Sequence, residues 1–156
     1  MDRFELDWER VADTAAAFIR ERMEAAGRTR SVIGLSGGID SAVSAYLAAR
    51  ALGPDNLHAL LLPYRTSSEQ STQHALAVTE ALGLPHEVIE ITPMVDAYLA
   101  RDPEASRLRR ANFMARMRMA VLYDQSERLD ALVVGTGNRT EALLGYTTLW
   151  GDMACA

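Results

Sequence analysis

At 156 residues the chain is long enough to bury a sizeable core, and residues 1–156 read as a single domain. Hydrophobic residues make up 49% and charged residues 24%, the balance of a globular protein, and no apolar run reaches the length needed to cross a bilayer. The formal net charge of −5 argues against a general nucleic-acid binder, and the single cysteine, Cys155, excludes an internal disulfide, so a cytoplasmic protein without membrane or nucleic-acid partners is expected.

All 16 basic residues are arginine. Compositional bias accounts for that on most solvated surfaces, but it has a chemical consequence. No lysine here can clamp a phosphate or act as a nucleophilic amine, so such tasks fall to arginine, to metal or to another chain.

In chain order, Leu6, Val11, Ala15, Phe18, Ile19 and Met23 share one side of an amphipathic helix expected over residues 5–26, which Gly27 ends. Ser31–Leu35 reads as a strand. A helix from about residue 41 to 52 follows, stopped by Gly53-Pro54. Leu57–Leu62 reads as a second, buried strand cut off by Pro63, and Ser67-Ser68-Glu69-Gln70 caps a helix running to Leu82 and closed by Gly83. His86–Ile91 alternates and reads as a third strand. A short helix near 93–100 and a long one near 104–128 precede the fourth strand, Ala131–Val134. Strands alternating with helices predict an α/β fold, a parallel sheet flanked by helices.

The first strand runs directly into Ser36-Gly37-Gly38-Ile39-Asp40-Ser41, two glycines, an acid and hydroxyls at a helix start. Such a corner aims free backbone N–H groups and a helix dipole at one spot, which suits a phosphate, and glycine permits close approach or positive φ. It lacks the Gly-Lys-Ser/Thr ending of a Walker A loop and the Gly-x-Gly-x-x-Gly spacing. After the fourth strand, Gly135-Thr136-Gly137-Asn138-Arg139-Thr140-Glu141 repeats the combination; alone it reads equally as a turn with a helix cap. In doubly wound sheets, ligands bind beyond the carboxyl ends of strands where the strand order reverses. If the first and fourth strands are neighbours there, Asp40 and Glu141 converge on one crevice. That arrangement suits Mg²⁺, which takes a few carboxylates plus phosphate oxygens, although both acids could merely favour helix dipoles.

The loop Ser36–Ser41 resembles the pyrophosphate loop of the N-type ATP pyrophosphatases, a Rossmann-like, adenine nucleotide alpha-hydrolase-like fold. Gly135–Glu141, together with Leu144-Gly145-Tyr146-Thr147-Thr148-Leu149-Trp150-Gly151-Asp152, resembles the NAD synthetase family in particular, and Asn112–Met119 is similar to its substrate-binding helix. The resemblance implies ATP-dependent amidation of deamido-NAD to NAD by ammonia, through an adenylate, with release of AMP and pyrophosphate. By the same resemblance Gly34, Leu35, Ser36, Gly37, Gly38, Ile39, Asp40 and Ser41 cradle the phosphates of ATP, Thr136 contacts ATP, Asp40 and Glu141 hold Mg²⁺, and Arg116 with Asn112 binds deamido-NAD. It also implies a homodimer through the helix 104–128.

The family chain is longer, so a copy incomplete at its C-terminus is expected. It would lack further ATP contacts, a lysine among them, and structure that completes the sheet; full activity is not expected of the chain alone. Ala156 stands where many relatives have a substrate-contacting aspartate, Leu149 where some have lysine, and Trp150 where tyrosine is more usual. Two other readings stay open: a different ATP pyrophosphatase of the same superfamily, and a non-catalytic nucleotide-binding or dimerisation module.

Apolar residues surround much of the helix 104–128, which points to a buried helix or a dimer interface. Arg107, Arg109 and Arg110 form a basic run that is either a solvated face or a contact for substrate phosphates. Tyr64–Ser67 either covers a nucleoside or simply caps a helix. His58, His74 and His86 lack metal-ligand spacing, and no role is assigned to them or to Cys155.

Overall fold

Leucine-, valine- and alanine-rich runs build the sheet on which everything else is placed. The computed structural model describes residues 6–155. Among these, β1 (Arg30–Gly34), β2 (Leu57–Leu61), β3 (His86–Val88) and β4 (Ala131–Val134) pair in parallel in the order β3-β2-β1-β4. Val32 lies opposite His58 on one side and Val133 on the other, so β1 is central. The chain steps outward from β1 to β2 to β3, then crosses to the other side of β1. The strand order therefore reverses between β1 and β4, as the two glycine loops require.

Helices cover both faces. In chain order α1 (Trp8–Ala25) precedes β1, α2 (Ile39–Leu52) and α3 (Glu69–Leu82) lie between β1 and β3, α4 (Thr92–Leu99) and α5 (Arg107–Leu129) between β3 and β4, and the short α6 (Arg139–Leu144) follows β4. Ile33, Ala59 and Leu61 pack against Ala45 and Ala48 of α2 and Ala75 of α3, with α1 laid against α2. On the other face Leu60 and Leu62 meet Val95 and Leu99 of α4 and Val121 of α5. A residue on each pleat thus finds an apolar partner, which is why the strands read as near-continuous hydrophobic runs. Among the described residues no helix is long and apolar enough to cross a membrane.

Boundaries differ from the sequence reading in instructive places. Helix α1 starts at Trp8 because the Asp7 carboxylate accepts from the Arg10 N–H at 3.1 Å; Glu5, where the helix was expected to begin, lies outside the described residues. Strand β3 stops at Val88 instead of Ile91. Ile89 and Ile91 still donate to the carbonyls of Leu61 and Pro63, both at 2.9 Å, but Pro63 has no N–H to return and the ladder cannot continue. Helix α5 begins at Arg107, capped by the Ser106 hydroxyl, and among its described side chains only Val121 is buried; Leu108 is 70% exposed. A fully buried helix is therefore not what the apolar circumference of α5 encodes: the sheet covers one side of it and leaves the other open.

Candidate functional site

The first corner is held from inside. Gly37 sits at φ 80°, and a Cβ there would lie 2.1 Å from the Ser71 carbonyl oxygen, so only glycine fits on both counts. The Ser41 hydroxyl, 3% exposed, donates to the Gly38 carbonyl at 2.9 Å and accepts from the Ser36 N–H at 3.3 Å. It also meets the Ser36 hydroxyl at 3.1 Å, which in turn accepts from the Gly38 N–H at 3.2 Å. That network fixes the turn without using its outward donors. Among the described residues the N–H groups of Gly37, Ile39, Asp40 and Ser41 have no partner, and they lie at the positive end of the fourteen-residue α2.

The second corner is a capping box. Asn138 accepts from the Glu141 N–H at 2.9 Å, while its own N–H donates to Glu141 Oε2 at 2.9 Å. Its remaining amide group reaches across the cleft and donates to Asp40 Oδ1 at 3.2 Å, joining residues 98 positions apart. Asn138 thereby holds both carboxylates. Asp40 Oδ2 and Glu141 Oε1 accept no hydrogen bond among the described residues. The bridging role is invisible in a motif, where Asn138 reads as a helix cap and nothing more.

These corners enclose a cavity of about 130 Å³ lined by Ser36, Gly38, Asp40 and Ser41 from one side and Thr136, Gly137 and Glu141 from the other, with Asp152 beside them. Three carboxylates share it with two of the residues carrying free N–H groups, Asp40 and Ser41. No group of three metal-ligating side chains forms a ready-made cage among the described residues. Two free carboxylate oxygens beside phosphate donors fit Mg²⁺ better than a cage would, because that ion keeps waters and phosphate oxygens in its shell.

A second cavity of about 400 Å³ adjoins the first, and Ser36, Thr136 and Asp152 line both. Its walls are mostly apolar, from Leu60, Leu61, Met119, Leu122 and Val133, with the hydroxyls of Ser67, Ser68, Ser71 and Thr72 at the start of α3. Gly34 and Leu35 line it too; Gly37 and Ile39, the latter 74% exposed, line neither cavity. An apolar slot with a few convergent polar groups suits a nucleoside. One basic side chain enters it, Arg118, which sequence reading passed over. Its Nε donates to the Leu62 carbonyl at 2.9 Å, and burial pulls its pKa below the usual arginine value.

Arg116 and Asn112 lie one turn apart on α5 and bind the segment after α6. Arg116 Nε donates to the Leu149 carbonyl at 3.1 Å, and the Thr148 hydroxyl bonds Asn112 Oδ1 at 3.1 Å. Neither lines either cavity, so the structure does not bring them to the two glycine corners. Tyr64 is buried and donates to Asp96 Oδ1 at 2.7 Å, Arg65 pairs with the same carboxylate at 2.6 Å, and Ser67 alone of that loop faces the larger cavity. Arg109 pairs with Asp102, and Arg110 Nε donates to the Ala105 carbonyl at 2.9 Å, so these members of the basic run secure the start of their own helix.

Comparison with known proteins places this geometry. The family model described as NAD synthase matches residues 11–156. The chain is 50% identical over 156 residues to an NH(3)-dependent NAD(+) synthetase of Trichlorobacter lovleyi, covering all of this chain and 57% of that one. Among solved structures it resembles the NH3-dependent NAD synthetase of Campylobacter jejuni with TM-score 0.92 at 40% identity, over 97% of this chain and 66% of that one. It resembles the NMN synthetase of Francisella tularensis with TM-score 0.90 at 33% identity, over 97% and 63%. The chain thus spans a little over half the length of the curated relative it matches.

Proposed function

This chain belongs to the NAD synthase family, and we propose that it carries the ATP-activating site of an ammonia-dependent ligase that converts deamido-NAD to NAD. The observation that carries this reading is the Asn138–Asp40 bond, which joins the two corners so that Asp40, Ser41 and Glu141 line one crevice. The 50% identity to a protein named for NAD(+) against 33% for one named for NMN favours the dinucleotide.

In this reading a carboxylate oxygen of deamido-NAD attacks the α-phosphorus of ATP, and the bond to pyrophosphate breaks. Ammonia then attacks the acyl carbon, loses a proton, and AMP leaves. Pyrophosphate is a highly charged leaving group, so catalysis rests on donors already pointing where charge develops. The N–H groups of Gly37, Ile39, Asp40 and Ser41, fixed by the buried Ser41 hydroxyl, have that task. Thr136, lining both cavities, stands where nucleoside and phosphates join. Asp40 and Glu141 would hold Mg²⁺ through their unused oxygens; the ion, when bound, neutralises charge on the phosphates. Arg116 and Asn112 would bind deamido-NAD from the segment they anchor. No side chain lining the two cavities is placed as a covalent nucleophile, consistent with catalysis by positioning. We further place the open side of α5, with Leu108, against a second copy of the chain, and the protein in the cytoplasm.

Exchange of labelled pyrophosphate into ATP, dependent on deamido-NAD, tests the assignment. Asp40→Asn and Glu141→Gln are each expected to lower exchange about 100-fold or more while leaving the melting midpoint near wild type. Exchange retained by both variants would discard the metal assignment. Nucleotide binding by the wild-type chain with no exchange would reduce it to a binding module.

A further inference from the structure

Arg118 is the only basic side chain among the described residues that lines either cavity. It is half-buried, and no described carboxylate lies within salt-bridge distance of it. Its Nε–H is spent on the Leu62 carbonyl at 2.9 Å, which fixes the plane of the guanidinium beside the end of β2. The Nη donors make no hydrogen bond to the described residues. A cation drawn out of water without a counter-charge is unfavourable unless an anion arrives to meet it, and burial here acts alone in lowering its pKa.

Position selects the anion. The smaller cavity already has carboxylates, which oppose free phosphate charge and call for a metal ion there. The larger one is apolar and sized for a nucleoside, and the two meet at Ser36 and Thr136. A nucleoside in the larger cavity with its pyrophosphate in the smaller one presents only its α-phosphate to the larger. Arg116, two residues earlier on α5, is exposed and points instead to the Leu149 carbonyl, so the two arginines serve different groups.

We propose that Arg118 is the α-phosphate contact of this site, its free Nη donors binding the phosphate of ATP and then of the adenylate while Nε holds the Leu62 carbonyl. This rests on the ATP-binding reading above and adds to it a specific residue and a specific phosphate. In a chain without lysine, a planar fork fixed at one nitrogen is well suited to a tetrahedral oxyanion.

Titration calorimetry with MgATP, AMP and adenosine on wild-type chain, Arg118→Gln and Arg118→Lys tests it. Removing the charged donors is expected to weaken AMP and ATP about ten- to a hundredfold and adenosine less than about twofold. Lysine, which keeps the charge but not the fork, is expected to fall between. Equal loss for adenosine and AMP would overturn the proposal and leave Arg118 a tie between α5 and β2, and unchanged binding of all three would overturn it as well. Should the glutamine variant fail to fold in a circular-dichroism melt, the lysine variant decides on the same AMP-to-adenosine ratio. Wild-type chain that binds no adenine nucleotide would sink the ATP reading itself. Wild-type binding with an insensitive Arg118 would sink only this assignment.

Discussion

The two corners of the cleft share a plan, a strand running into a helix start, yet they are secured by opposite means. The Ser36–Ser41 corner opens a fourteen-residue helix whose Ala45 and Ala48 are embedded in the core, and its turn closes around a buried hydroxyl. The Gly135–Glu141 corner opens a six-residue helix with no buried residue; Leu143, Leu144 and Tyr146 are 73%, 76% and 80% exposed. What holds it is polar: the capping box and the single reach of Asn138 to Asp40. In the proposed reading, the phosphate cradle therefore comes ready-made with the core, whereas the second corner, with Glu141, depends on a few part-buried or exposed hydrogen bonds. That division predicts a site whose anion affinity is robust and whose cation affinity is easily disturbed.

Substituting one glycine in the first corner and one at the far end of the helix that the second corner opens gives the largest contrast. Gly37 and Gly145 both sit at positive φ, 80° and 66°. Around Gly145 nothing lies within 4 Å of an added Cβ, whereas at Gly37 the Ser71 backbone blocks it. Gly37→Ala is expected to destabilise the chain by about 3 kcal/mol or more and to abolish nucleotide binding. Gly145→Ala should cost about 1 kcal/mol, the conformational term alone, with binding kept. Urea denaturation beside calorimetric binding measures both. Equal losses at the two positions would break the comparison.

Asn138 sharpens it from the other side. Asn138→Ala removes a helix cap, worth about 1 kcal/mol, and frees Asp40 and Glu141 to separate. A residue that orients metal ligands typically changes metal affinity about 10- to 100-fold. The expected outcome is therefore a small shift in stability, a large rise in the Mg²⁺ concentration needed for exchange, and little change in metal-free AMP binding. Parallel losses of metal and AMP affinity would show that the second corner also carries the phosphate.

How much of this was legible in the sequence follows the same division. The strand-glycine-helix pattern at Ser31–Ser41 showed the strand, the turn and the helix start, because backbone geometry there is local and glycine-dependent; the phosphate it would take belongs to the proposed reading. The adjacency of β1 and β4 stood only as a condition, since strand order is a long-range property; the sheet meets it. The resemblance supplied the family, which the comparisons bear out. Arg118 was not read from the motif, although a signal existed: it falls on the helical stripe with Met114 and Val121, which face the core, and a lone arginine among inward residues asks for a partner. Arg116 stood out through the resemblance, yet in the fold it fastens the tail. Helix rotation decides that difference, and periodicity fixes it poorly on a helix apolar around most of its circumference.

Acid supplies the mildest probe, because it acts on the shared frame and on neither corner. His58 lies on β2 opposite Val32, and its Nε2 is buried without a hydrogen-bond partner. Burial, first, and then the positive charge of Arg128 lower its pKa from 6.5, with Glu87 opposing and His86 adding to the lowering. A histidine depressed in the folded state binds its proton more readily when unfolded, so stability is complete above pH 6.5 and declines as pH falls below that value. Chemical denaturation at stepped pH should show that decline in wild-type chain and a flatter profile in His58→Leu. Because the strand carrying His58 is hydrogen-bonded to β1, and β1 in turn to β4, acid should lower the melting midpoints of Gly145→Ala and Asn138→Ala in parallel with wild type. A slope that persists in His58→Leu would move the titrating group elsewhere, and a slope specific to one corner variant would mean that the corner, not the sheet, takes up the proton.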